Sequence, residues 1–268
     1  MRELGGEQVE GRQAVRELLA AGRRRAREVW LAQGVEDAAI LREIVELATA
    51  ARVPVRNVSR ARLDGAARTD APQGVLARAD PLPVADLAAL ARAEGPPVEV
   101  GRRRGPPVEV GRRRGPPFLL VLDGVLDPHN LGALLRTGEA AGVTGAVLAR
   151  RRAAHVTPVV AKAAAGAIER VPIALVAGIA GALQELRGKG VWTVGLDPGG
   201  PTSVFDLAVA TEPVALVLGS EGRGLARLVA DRCEVRARIP LAGSIGSLNV
   251  AAAAAISCFE VARRRAGA

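Results

Sequence analysis

The chain has 268 residues, 49% of them hydrophobic, and 37 basic against 28 acidic side chains leave a net charge of +9. That much apolar material builds a sizeable core and excludes wholesale disorder, while the excess charge points to a polyanion, nucleic acid first. Aromatics at 2% with no tyrosine exclude a surface that grips RNA by stacking bases on rings, and two cysteines outside any CxxC pair with two histidines leave zinc almost no ligands. Only Lys162 and Lys189 are lysines, so any RNA contact must lean on arginine, backbone amides and shape. Acidic residues in the first ten positions and no apolar stretch there argue against a signal peptide, and a reduced, cytoplasmic setting is expected. In chain order, helical spacing over 11–21, an apolar run EVWLA at 28–32 and helical spacing over 38–50 come first. An extended 54–58, a serine-capped helix over 59–67 and an extended 74–77 follow, completing a small α/β domain.

GPPVEVGRRR stands at 95–104 and again, unchanged, at 105–114, followed by a third GPP at 115–117. Pro-Pro and Gly-Arg pairs at this density do not build a packed element. Residues 93–117 are therefore expected to be an extended basic linker between domains at 1–92 and 118–268. The triple arginines read either as a phosphate tether or as a duplication tolerated because linkers accept insertion; the identity of the copies favours duplication.

Beyond the linker, FLLVL (118–122), GAVLA (145–149), VWTVG (191–195) and VALVLG (214–219) read as buried parallel strands. Helical stretches lie at 131–141, 158–167 and 179–188, and a last helix spans 247–265, with Ser247 as its N-cap and arginines at its end. The expected result is a doubly wound α/β sheet. Residues 239–259 carry no charge and are long enough to cross a bilayer, but Pro240, three serines and Asn249 make them a loop and a buried helix instead.

Three clusters place polar residues where an α/β core does not need them. DGVLDPHNLGALLRTGEAAG (123–142) runs off a strand into a helix and carries Asn130 and Arg136, with Glu139 one turn beyond. A capping asparagine and a surface ion pair would account for it alone. VLGSEGRGLARL (217–228) has G-x-x-G-x-G spacing, not the dinucleotide fingerprint, and by itself fits an ordinary glycine-rich turn. IPLAGSIGSLNVAAAAAI (239–256) opens a helix whose alanine face invites close backbone approach, and whose first N–H groups face a polar ligand.

Together, in this order and at these separations, the three clusters resemble the signature motifs of the SpoU (TrmH-like) family of RNA ribose methyltransferases, over about 118–264. RRAAHVTPVVAKAAAGAIERVPI at 151–173 belongs to the same match. VEGRQAVRELL at 9–19 and QGVLA at 73–77 resemble the substrate-binding domain of the ribosomal-RNA branch, with Pro72 where members commonly have histidine.

The resemblance implies a parallel-sheet α/β domain with a deep trefoil knot over 217–248, a small N-terminal α/β RNA-binding domain, and a homodimer. It assigns S-adenosylmethionine to Gly219, Ile239 and Leu248 with neighbouring Leu218 and Ser220. Asn130, Arg136, Glu221, Ser247 and Asn249 match the polar active-site residues, and Arg12, Gln73 and Arg136 the RNA contacts. The implied reaction needs no metal and methylates a ribose 2′-hydroxyl, with a guanosine of 23S ribosomal RNA favoured. Within the family the alternatives are a transfer-RNA methyltransferase and an antibiotic-resistance ribosomal methyltransferase. Outside it stand a non-catalytic assembly factor, which need not keep Asn130, Arg136, Glu221 and Asn249, and a nucleotide oxidoreductase, which lacks its fingerprint here.

Overall fold

The computed structural model describes residues 4–35, 38–95, 97–98, 113–151, 155–244 and 246–267. The elements run β1 (Gln8–Glu10), α1 (Arg12–Ala21), β2 (Ala26–Ala32), α2 (Ala39–Ala50), β3 (Val55–Val58), α3 (Arg60–Ala66) and β4 (Val75–Ala79). Then come β5 (Val84–Ala85), α4 (Leu87–Leu90), β6 (Pro97–Val98), β7 (Arg113–Arg114), β8 (Phe118–Asp123), α5 (Pro128–Ala140), β9 (Gly145–Ala149) and α6 (Pro158–Ala163). The chain closes with β10 (Ile173–Val176), α7 (Ile179–Gly188), β11 (Trp192–Leu196), β12 (Thr202–Ser203), β13 (Val214–Gly219), α8 (Arg227–Arg232), β14 (Val235–Arg238) and α9 (Val250–Ala266). These elements form two compact units: one of residues 1–84, 127–136 and 154–171, the other of 85–126, 137–153 and 172–268. β6 and β7 pair antiparallel; most of the two repeats between them, 99–112, lies outside the described residues.

The first unit is built on a four-stranded sheet in the order β1-β4-β2-β3, with β2 and β3 parallel and the other pairs antiparallel. Helical spacing puts Ala14, Val15, Leu18 and Leu19 of α1 on one face, where they pack with Val29, Ile44, Ala48, Val75 and Ala77. α3 is capped by Ser59, which accepts from Arg62 N, and buries Leu63 with Ala32, Val58 and Leu76 in a separate cluster. Two buried polar groups are fully engaged. Glu10 accepts from Gln8 Nε2 at 2.6 Å, Arg68 N at 2.7 Å and Thr69 N at 3.0 Å. Arg24, 2% exposed, meets Glu169, 1% exposed, and donates to the carbonyls of Gly6 and Asp80. The expected helix 158–167 stops after Ala163, because Ala165 and Gly166 turn to φ +48° and +87° and a single 3₁₀ turn follows.

The second unit carries a sheet in the order β12-β14-β11-β13-β8-β9-β10-β5, with parallel registers throughout the run from β12 to β10. β8 and β13 are buried on both faces, which is why they read as unbroken apolar runs. α7 lays Ile179, Ala182, Leu183 and Leu186 on Leu119, Val121, Ala215 and Val217. α9 packs against β13 and buries Ala254, Cys258 and Val261. All four anticipated strands form. β10, β12 and β14 were not anticipated: β12 is two residues long, and β14 (VRAR) alternates arginines with small apolar groups. Ser247 is not the N-cap of the last helix. Asn249 is, its side chain accepting from Ala251 N and Ala252 N, so the helix starts at Val250. No helix among the described residues is long and apolar enough to cross a membrane.

Candidate active site

Because β11, β13 and β8 are parallel neighbours, their carboxyl ends share one edge of the sheet, where open α/β sheets place ligands. β8 ends at Asp123, directly beside Gly219 at the end of β13. The chain then makes a tight loop in which Ser220 and Gly224 exchange backbone hydrogen bonds at 3.0 and 2.9 Å, with Gly222 and Gly224 at positive φ. A Cβ on Gly219 would lie 2.1 Å from the carbonyl carbon of Gly224, so only glycine lets the loop fold back this closely. Asp123 Oδ2 fixes the far side of the loop by accepting from Ala226 N at 2.8 Å.

The approach to α9 closes the other wall. Asn249 uses its two ends differently: Oδ1 accepts from Ala251 N at 2.9 Å, while Nδ2 donates to Glu221 Oε1 at 3.2 Å. The glycine loop and the helix start are thereby tied together across 28 residues of sequence. Between them lies a cavity of about 460 Å³, within the range of small-molecule sites. Leu196, Leu218, Ile239, Leu241 and Leu248 supply apolar surface, and Glu221, Arg223, Ser247 and Asn249 supply polar groups.

Of the residues anticipated from sequence, Leu218, Gly219, Ser220, Glu221, Ile239, Ser247, Leu248 and Asn249 all line this cavity. Asn130 and Arg136 stand on α5. Asp127, not Asn130, caps that helix, accepting from His129 N at 3.2 Å and Asn130 N at 3.1 Å. Arg136 is exposed. The division between the units falls within α5, after Arg136, so both belong to the first unit and the cavity to the second. Sequence reasoning passed over Asp123, Asp197 and Pro198. The signal available was their place at the carboxyl ends of β8 and β11.

Arg12 and Gln73 meet in the first unit. Pro72 O accepts from Val75 N at 3.2 Å across a turn whose central residues, Gln73 and Gly74, have φ +57° and +74°. Gly74 is required there, since a Cβ would stand 2.6 Å from Val35 Cγ2. The turn aims Gln73 Oε1 at Arg12 N (3.0 Å), the first N–H of α1, which its own cap residue Gly11 cannot satisfy. Arg12 Nε returns a bond to Gln73 O at 3.2 Å.

The sequence model of the SpoU rRNA methylase family matches residues 117–259, and that of the RNA 2′-O ribose methyltransferase substrate-binding domain matches 8–85. The chain belongs to the SpoU rRNA methylase family. It is 37% identical, over 97% of each chain, to the Pseudomonas aeruginosa protein named 23S rRNA (guanosine-2′-O-)-methyltransferase RlmB. The crystal structure of an AdoMet-bound rRNA methyltransferase from Sinorhizobium meliloti is similar at a TM-score of 0.74 and 25% identity, covering 96% of this chain and 87% of that one. A TrmH/SpoU tRNA-modifying enzyme of A. aeolicus is similar at a TM-score of 0.50 and 26% identity, but over only 55% of this chain and 75% of its own.

Proposed function

We propose that this chain transfers the methyl group of S-adenosylmethionine to the 2′-hydroxyl of a ribose in RNA, on a guanosine of large-subunit ribosomal RNA, in the cytoplasm. The observation that carries the reading is the cavity in which Gly219, Glu221, Ile239, Leu248 and Asn249 converge. Its residues fit the cofactor. Leu218, Ile239 and Leu248 offer an apolar slot for a flat base, the loop at 219–224 offers backbone groups, and Glu221, Ser247 and Asn249 offer polar ones. When bound, S-adenosylmethionine supplies a methyl group already activated on a sulfonium, and the reading requires no metal.

The protein's task is then alignment, exclusion of water and care of the hydroxyl proton. The Glu221–Asn249 bond holds the glycine loop against the start of α9 and so keeps the slot in shape. Arg136 acts as a cation: a guanidinium stays protonated in proteins, and its planar fork suits a bidentate hold on an RNA phosphate and stabilisation of a developing 2′-oxyanion. The proton leaves to phosphate or water. Asn130, which precedes Arg136 on the same helix, joins it in orienting the ribose.

The reading takes residues 1–92 as the RNA-binding domain, 93–117 as linker and 118–268 as catalytic domain, with a trefoil knot over 217–248. Similarity over 97% of the chain to a protein named for 23S ribosomal RNA supports that substrate. A homodimer forms through α9, where Phe259 is 51% exposed one turn from Ile256. Titration calorimetry and light scattering on the purified protein, followed by mass spectrometry of a large-subunit transcript, test this. Cofactor binding by a dimer and one ribose methyl on guanosine are expected; no cofactor binding, or activity lost to a chelator, would overturn it.

A further inference from the structure

Alternation along β2 puts Val29 in the core with α1 and α2, and Trp30 among the residues packed around α3. The register of the neighbouring strands sets Arg56 beside Trp30 and Arg78 beside Glu28. α3 adds Arg62, whose guanidinium carbon sits 5.1 Å from the centre of the Trp30 ring, with that of Arg78 at 5.4 Å. Glu28 meets Arg56 Nε at 3.1 Å and Arg78 Nε at 3.5 Å, yet those arginine side chains stay 65% and 49% exposed. Trp30 Nε1 is buried with no hydrogen-bond partner among the described residues, so the indole is held here for its π-face, not as a donor.

Two guanidiniums thus stack on one ring, and a third, that of Arg56, joins Arg78 on the single carboxylate of Glu28. Cation–π contact restrains two of them and lowers the entropy lost when they grip something else. Their mutual repulsion is relieved by an incoming anion, and a planar fork suits phosphate. We infer that this sheet face, apart from the Arg12–Gln73 turn, is a surface for the phosphates of the RNA substrate. Trp30 serves it as a shelf for arginines, not as a platform for bases. The inference rests on RNA being the substrate, and the unit that carries the face is the one matched by the substrate-binding family model.

The test uses the full-length protein with a large-subunit rRNA transcript across a salt series. Arg56→Gln, Arg62→Gln and Arg78→Gln combined should weaken binding at least tenfold. The slope of log affinity against log salt should flatten by about 0.7–0.9 for each phosphate no longer neutralised. Trp30→Leu, with every charge kept, should weaken binding several-fold. Calorimetric affinity for S-adenosylmethionine and the thermal midpoint are the controls, and both should stay at wild-type values in the triple variant. Wild-type RNA affinity and salt slope in the triple variant would overturn the inference, as would weakened binding to a ribosomal protein with RNA binding intact, which would assign the face to protein. A wild-type protein that binds neither cofactor nor rRNA would instead overturn the parent reading.

Discussion

Asn249 Nδ2 donates to Glu221 Oε1 at 3.2 Å while Oδ1 of the same side chain caps α9, so one amide holds both walls of the cavity. Asn249→Ala removes the cap and the bond together. Loss of the cap alone should cost about 1 kcal/mol, visible as a lower thermal midpoint. Asn249→Asp keeps an acceptor for the helix and should recover most of that stability. It also sets a second carboxylate against Glu221, so its single-turnover rate should remain as low as that of the alanine variant.

Arg136 separates two accounts of the hydroxyl proton. As a positioning cation it tolerates Arg136→Lys with measurable activity, whereas Arg136→Ala should lose several orders of magnitude in rate, with cofactor affinity unchanged in both. The single-turnover pH–rate profile decides. A lysine variant that recovers full chemistry only above its own depressed pKa would establish a neutral side-chain base instead.

The turn at 72–75 should prove sensitive in two distinct ways. Gln73→Ala strips the acceptor from Arg12 N and should cost about 1 kcal/mol in urea unfolding, as for other lost helix caps. Gly74→Ala forces a side chain onto a backbone at φ +74° and against Val35, and should cost more, about 1–3 kcal/mol. Both should weaken RNA binding while sparing the cofactor.

Glu260 sits between Arg263 and Arg264 on α9, with Arg263 Nε and Nη2 donating at 2.8 Å each and Arg264 Nε at 2.9 Å. The hydrogen bond from Arg263 first, and then that from Arg264, hold its carboxyl down to about 2 from the usual 4.5, against the opposing effect of burial. The folded pKa lies below the unfolded one, so the stabilisation is present in full above about 4.5 and is lost as pH falls towards 2. Glu260→Gln should lower the thermal midpoint at neutral pH, and the gap to wild type should close between pH 4.5 and 2. A constant gap would remove this assignment.

How much of this was legible in the sequence follows from the physics of each part. FLLVL and VALVLG are buried on both faces, so their apolar runs announced β8 and β13. β1 at three residues and β12 at two are too short for any periodicity to register, and β14 hides behind arginines. The cavity lining was legible only through the family resemblance: glycine spacing alone fits an ordinary turn, and the 2.1 Å clearance at Gly219 is a crowding that no spacing reports. The start of α9 was misplaced by three residues, since Ser247 and Asn249 are both good cap types, and it is Asn249 whose side chain accepts from Ala251 N and Ala252 N. The Trp30 cluster was invisible, because Trp30, Arg56, Arg62 and Arg78 come from four separate elements.

The central claim is tested most directly by mapping ribose methylation across total RNA from cells with and without this gene, restored with wild type or with Arg136→Ala. The account predicts that one guanosine of large-subunit ribosomal RNA loses its 2′-O-methyl group on deletion, regains it with wild type, and stays unmethylated with the arginine variant. An unchanged map, or a lost methyl confined to transfer RNA, would contradict it.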